Sequence, residues 1–218
     1  MIVVVGGIKG GTGKTTIATN LAALRSRLGR MVLLIDADEQ RSSSDWSDQR
    51  SSKFEDNELT TIQLNGDKVG PQILKLAPNY DDVIIDAGGR DTNSQRSALC
   101  MADVVILPFK PRSVDLWPLG KVKQMIEEIC SVNPSLVVVP LINMADSTGN
   151  DNSDAMDLLS EWPGINCFFS PIGHRKAFCN AISYGLGVEE FKPYDKKAVN
   201  EIRRLHNHIF QERLEYVE

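Results

Sequence analysis

The stretch MIVVVGGIKGGTGKTTIATNL, residues 1–21, decides the fold. The aliphatic run from Ile2 to Val5 reads as a short buried strand. Ile17 and Leu21 begin a helical spacing that Leu24 and Leu28 continue up to Gly29, a natural stop. Between strand and helix lie Gly10, Gly11 and Gly13, which let the chain curl so that successive N–H groups point inward at the positive end of the helix. Such a turn cradles a polyphosphate. Lys14 is then placed to reach the β- and γ-phosphates and the Thr15 hydroxyl to bind Mg²⁺. The common pattern G-x-x-x-x-G-K-[ST] does not fit, however: counting back from Gly13-Lys14-Thr15 puts Ile8 where glycine belongs. Lys9, five residues ahead of Lys14, has no place in that pattern.

Further along the chain, short β-branched runs recur at 31–35 (MVLLI), 82–86 (DVIID), 103–107 (DVVIL) and 136–142 (LVVVPLI). They are continuously apolar rather than alternating, as strands covered on both faces are. Helical patterns lie between them, the clearest carried by Leu119, Val122, Ile126 and Ile129. Alternating strands and helices predict an α/β fold, a mostly parallel, twisted central sheet with helices on both faces and a ligand crevice at the strands' carboxyl ends. Residues 38–58 are polar and serine-rich, with Trp46 and Phe54 as apolar anchors. They read as a short helix with mobile flanks or a switch segment, the distal part, 47–58, as a solvated loop.

At 218 residues, 42% hydrophobic and 24% charged, the chain suits one well-buried domain spanning 1–218. A net charge of −5 argues against coating nucleic acid by bulk charge, so any such partner is engaged by a local patch. Cys100, Cys130, Cys167 and Cys179 form no C-x-x-C, which points to neither a zinc site nor a redox dithiol. The apolar start ends at Gly6 without a basic leader and no stretch approaches the ~20 apolar residues of a membrane span, so a cytoplasmic protein is expected.

Two further strand ends carry acids. Asp36 and Asp38 lie two apart in LLIDADEQ and share a side if the chain stays extended, both facing a metal and the γ-phosphate. Asp86 ends DVIIDAGG, where a carboxylate holds metal-bound water and Gly88-Gly89 lets the next loop approach. Singly, each of these acids also suits the capping of a helix or turn. Ser42, Ser43 and Ser44 have no base near them in sequence and are not read as nucleophiles. His206 and His208, two apart on a helix, do not face one another as a metal pair.

KGGTGKTT from Lys9 to Thr16 resembles the deviant phosphate loop of the ParA/MinD superfamily of P-loop NTPases, K-G-G-x-x-K-[ST], whose first lysine is its signature. DADEQ at 36–40 resembles that superfamily's Asp-x-Asp-Pro-Gln motif, DDVIIDAGGRD at 81–91 its third motif, and ADVVILPFKPRSVDLWPL at 102–119 the small plasmid-type ParA ATPases, which have no DNA-reading helix-turn-helix domain at the front. The resemblance implies that residues 9–16, from Lys9 through Gly10, Gly11, Thr12, Gly13, Lys14 and Thr15 to Thr16, bind ATP. It implies that Thr15, Asp36 and Asp86 serve Mg²⁺ and that Asp38 orients the attacking water. By the same resemblance Lys9 is expected to reach across to the ATP of a second subunit, making ATP the glue of a homodimer. It also puts Asn143 and the loop at Ser170-Pro171 at the adenine, although an asparagine at a strand end also suits the capping of a turn.

For output the resemblance implies non-specific DNA binding by the dimer through basic side chains of the last helix, residues 195–214. That helix buries Val199, Ile202, Leu205 and Ile209 and carries Lys196, Lys197, Arg203 and Arg204, with Arg175 and Lys176 nearby. Glu201 and Glu212 also fit a merely solvated face. A ParB-like centromere-binding protein would stimulate hydrolysis, the cargo being a plasmid. A protein cargo on the nucleoid is an alternative. A MinD-like membrane role is opposed by the acidic ending QERLEYVE, and a metabolite ligase lacks a substrate motif. One departure is Glu39, where the family has proline, which removes a fixed φ beside Asp38.

Overall fold

The computed structural model describes residues 1–54, 59–112, 117–212 and 214–216. A seven-stranded sheet, in the order β3-β2-β4-β1-β5-β6-β7, runs through the molecule, and every neighbouring pair is parallel. Its strands are β1 (Ile2–Val5), β2 (Val32–Ala37), β3 (Leu59–Gln63), β4 (Asp82–Ala87), β5 (Val104–Phe109), β6 (Val137–Ala145) and β7 (Phe168–Gly173). The helices are α1 (Lys14–Arg27), α2 (Ser42–Ser51), α3 (Val69–Leu76), α4 (Asn93–Leu99), α5 (Leu119–Cys130), α6 (Asp151–Ser160), α7 (Lys176–Ser183) and α8 (Lys196–Phe210).

The continuous apolar runs are explained by two cores, one on each face. On β2, Leu33 and Ile35 join the core under α3, α4, α5 and α6, while Val32 and Leu34 join the other with Ile17, Leu21 and Leu24 of α1, Trp46 of α2 and Val199, Ile202, Leu205 and Ile209 of α8. Successive side chains alternate faces, so a strand buried on both sides needs no polar position. Each fully buried aliphatic side chain contributes about 1.5–3 kcal/mol. Gly29, at φ 76°, follows α1 as its stop.

Several expectations are corrected. The edge strands β3 and β7 carry no long apolar run, having one neighbour each and partly exposed faces. Ser170 and Pro171 therefore belong to β7 rather than to a loop. Residues 47–51, expected in a solvated loop, are the second half of α2; Trp46 and Arg50 are buried, because Arg50 pairs with Glu190, 140 residues away. Residues 55–58 of that segment lie outside those described. The last helix stops at Phe210, short of 214: Gln211 takes φ 55° and the Asn207 side chain bonds the backbone of Leu214, turning the chain back. No helix among the described residues is long and apolar enough to cross a membrane.

Candidate nucleotide site

Because β1 lies at the centre of the sheet between β4 and β5, the loop after it opens onto the carboxyl ends of its neighbours. The register sets Asp86 of β4 beside both Asp36 of β2 and Val5 of β1, so two acids and the glycine loop meet at one level. Above them lies a cleft of about 830 Å³, whose lining includes Gly10, Gly11, Gly13, Lys14, Thr15, Asp38, Gly88 and Gly89. Gly11 and Gly13 take φ of 71° and 88°, open to glycine and strained for other residues. A Cβ on Gly89 would come within 2.8 Å of the Gly10 Cα, so this close approach of two loops also requires glycine.

Lys14 is 6% exposed, and its ammonium donates to the Lys9 carbonyl at 3.0 Å. Burial lowers its pKa, opposed by the nearby carboxylates of Asp86 and Asp38. Asp86, fully buried, is pushed up to about 6 by burial, while hydrogen bonds from Ser43 and Thr15 pull the other way. The hydroxyls of Thr15 and Ser43 both donate to Asp86 Oδ2, each at 2.7 Å. Asp36 Oδ2 accepts from the Ser44 N–H and hydroxyl, both at 2.8 Å, and Oδ1 accepts from the Asp38 N–H. Arg41, preceding α2, is in the left-handed region and offers no cap, so Asp36 supplies from a strand end what an N-cap side chain ordinarily supplies.

The two acids of DADEQ thus separate. Asp38 lies just beyond β2 and lines the cleft, whereas Asp36 is wholly buried and does not. The turn that follows needs no proline. The Gln40 N–H bonds Asp38 Oδ1 at 3.1 Å and the Arg41 N–H bonds the Asp38 carbonyl at 3.2 Å, with Glu39 exposed at the cleft wall. Asn143 is buried and donates to the Thr12 carbonyl at 2.7 Å, bracing the phosphate loop rather than capping a turn. It pairs in register with Ile172, which brings Pro171 to the neighbouring strand. The Thr12 hydroxyl is buried without a partner, and Thr16 is partly exposed at the start of α1. Lys9, partly buried, does not line this chain's own cleft.

Sequence reasoning missed several contributors. Ser43 and Ser44 sit in a serine run that signals only polarity. Gln95 of α4, buried, accepts from the Gly7 N–H at 2.8 Å and so pins the loop from beneath. Met144, at φ 55°, lines the cleft beside Asn143, and Arg90 lines it from the loop after β4.

The donor set fits Mg²⁺. Among the described residues no group of three His, Cys, Asp or Glu side chains could cage a metal. The set is one hydroxyl, Thr15, hydrogen-bonded to one carboxylate, Asp86. That suits an ion which keeps phosphate oxygens and water in its shell.

A family model described as the CobQ/CobB/MinD/ParA nucleotide binding domain matches residues 3–188. The chain belongs to this family. Its members include the ParA/MinD ATPases expected from the motifs, and the parallel sheet is theirs. The chain is 31% identical over 208 residues to the maintenance of carboxysome distribution protein A of Halothiobacillus neapolitanus, covering 94% of each. It is 27% identical over 213 residues to the chromosome-partitioning ATPase Soj of Thermus thermophilus, covering 85% of this chain and 86% of that one. Among solved structures, the ATP complex of the Cyanothece protein McdA superposes with a TM-score of 0.77 at 18% identity, over 100% of this chain and 98% of that one. The last likeness is one of fold.

The basic residues expected on α8 are dispersed. Arg175 is ion-paired with Glu201 at 2.6 Å, and Arg203 with Glu189, while its other end bonds the Glu215 carbonyl. The Arg204 Nε is buried without a partner. Lys196 and Lys197 are exposed at the start of α8, with Lys176 exposed on α7 and Lys192 exposed ahead of α8.

Proposed function

We propose that this ParA-like ATPase is a Mg²⁺-dependent positioning switch, in which ATP joins two copies and the dimer binds DNA without regard to sequence. The observation that carries the reading is the pair of lysines. Lys14 is buried in the cleft, while Lys9, five residues earlier on the same loop, lies outside it with Gly10 and Gly11 exposed beside it. A cation at that rim suits a triphosphate held by a second copy, and it offsets the repulsion between two facing nucleotides.

Within one subunit, Lys14 and the loop N–H groups bind the β- and γ-phosphates, and Thr15 and Asp86 hold the metal and its water, with Asp36 fixing α2 behind them. A Mg²⁺ ion held by Thr15 and Asp86 would supply neutralisation of the charge that builds on the phosphates. Asp38, at the cleft wall against Gly88, orients the water that attacks. Asn143 and Pro171 stand on the adenine side.

For DNA, the support lies with the lysines. Arg175 and Arg203 are already held by carboxylates, so Lys196 and Lys197, doubled in a dimer, make the phosphate contacts. The cargo is macromolecular. The 31% identity to a carboxysome distribution protein favours a protein cargo and a partner other than a ParB-like protein. The likeness to a chromosome-partitioning ATPase favours a DNA cargo, such as a plasmid with a ParB-like partner.

Retention on non-specific DNA, measured with ATP, ADP and no nucleotide, tests the switch. The native chain should be retained with ATP alone, and Lys9→Ala should lose retention. The double change Lys196→Ala, Lys197→Ala should weaken it and flatten its salt dependence. Equal retention in every nucleotide state contradicts the reading.

A further inference from the structure

Asp86 Oδ2 accepts two hydroxyls that arrive from different elements, Thr15 from the phosphate loop and Ser43 from α2. Ser43 is 0% exposed and lies in the first turn of a helix anchored at both ends. At its start, Ser44 bonds Asp36 through both its N–H and its hydroxyl. At its end, Arg50 makes a two-point ion pair with Glu190, at 2.8 and 2.9 Å, with both side chains buried. Its guanidinium also packs over Trp46, whose indole N–H bonds the Leu186 carbonyl. The Ser43 hydroxyl is therefore delivered to Asp86 by a rigid element and not by a mobile side chain.

A carboxylate beside a metal-binding hydroxyl has one soft rotation, about its terminal torsion. One hydroxyl on one oxygen leaves that rotation loose; two hydroxyls converging on the same oxygen from opposite elements fix it. The second oxygen, which accepts no hydrogen bond from the described residues, is then left to receive from a water in the metal's shell.

We propose that Ser43 is a positioning residue for the metal-nucleotide site, setting the orientation of Asp86 from α2. The inference rests on the reading that this chain binds nucleotide with Mg²⁺, and it names a residue outside the phosphate loop and the strand-end acids.

The test is binding of a fluorescent ADP analogue, titrated with Mg²⁺ and repeated in EDTA. Outer partners of metal ligands are typically worth ~10–100-fold in metal affinity. Ser43→Ala should raise the Mg²⁺ concentration for half-maximal enhancement about 10-fold, leave affinity in EDTA unchanged, and be restored toward native by Ser43→Thr. Ser44→Ala removes one of the two Ser44 bonds to Asp36 but keeps the N–H bond and the Arg50–Glu190 pair that hold α2, so Asp86 retains both donors and the Mg²⁺ midpoint should stay native. A native midpoint in Ser43→Ala overturns the inference, as does an equal rise in both alanine variants, which would mean general loosening of α2. If nucleotide binding by the native chain ignores Mg²⁺ altogether, the metal reading itself fails, an outcome visible without any variant.

Discussion

Among the buried cations, Lys14 and Arg25 lie at opposite ends of the same helix, and their surroundings differ in kind. Arg25, in the last turn of α1, bonds Asp82 at 2.6 Å and Glu212 at 2.7 Å, contacts the His206 ring nitrogen at 3.2 Å and lies over Phe210 at 4.3 Å. Lys14, in the first turn, bonds one backbone carbonyl and is desolvated, with its pKa lowered. A buried charge is tolerated when its partners are within the fold. Where they are not, the group awaits a ligand that brings them. The first arrangement is structural, and the second is a site for an anion.

The sharpest way to break this contrast is to remove each cation in turn. Lys14→Ala should cost at least about 100-fold in ATP affinity, a loss of some 3 kcal/mol from charge-assisted bonds to phosphate, with the melting temperature of the nucleotide-free chain unchanged within about 2 °C. Arg25→Ala should do the reverse, leaving nucleotide affinity alone while lowering stability by about 3–5 kcal/mol, on the order of 10 °C in melting temperature. Calorimetric titration and thermal unfolding of the two variants decide it. Similar effects of both changes on both quantities would erase the distinction.

The buried carboxylate beneath the cleft, Asp86, sharpens the same contrast with a smaller effect. Burial raises Asp86 to about 6 in the folded chain. Between the ordinary carboxylate value near 4 and that value, the folded state binds more protons than the unfolded state, so stability falls as pH rises. At about 1.4 kcal/mol per unit the nucleotide-free chain should lose about 2–3 kcal/mol across this window. Asp86→Asn should flatten that slope, read from denaturant unfolding at a series of pH values. A slope unchanged in the variant would show that Asp86 carries no such cost.

The sequence disclosed those parts of the molecule whose signals are local. Three glycines and two lysines over the eight residues 9–16 mark the phosphate loop, and runs buried on both faces mark the five inner strands. The edge strands escaped notice because a partly exposed strand such as LTTIQ needs little hydrophobicity. Spacing along an extended chain groups Asp36 with Asp38, and the end of β2 at Ala37, which lies between them, leaves no mark in the sequence. The work of Ser43, Ser44 and Gln95 depends on partners 8 to 88 residues distant, contacts that only the fold creates. Arg175 and Arg203 illustrate the same limit: as residues they are cations, and in the structure Glu201 and Glu189 have already claimed them.

Sedimentation of the purified chain, saturated with a non-hydrolysable ATP analogue and Mg²⁺, tests the central claim most directly. The account predicts a dimer with the analogue, a monomer with ADP, and a monomer in both for Lys9→Ala, although that variant still binds nucleotide. A native chain that remains monomeric with the analogue at micromolar concentration contradicts it.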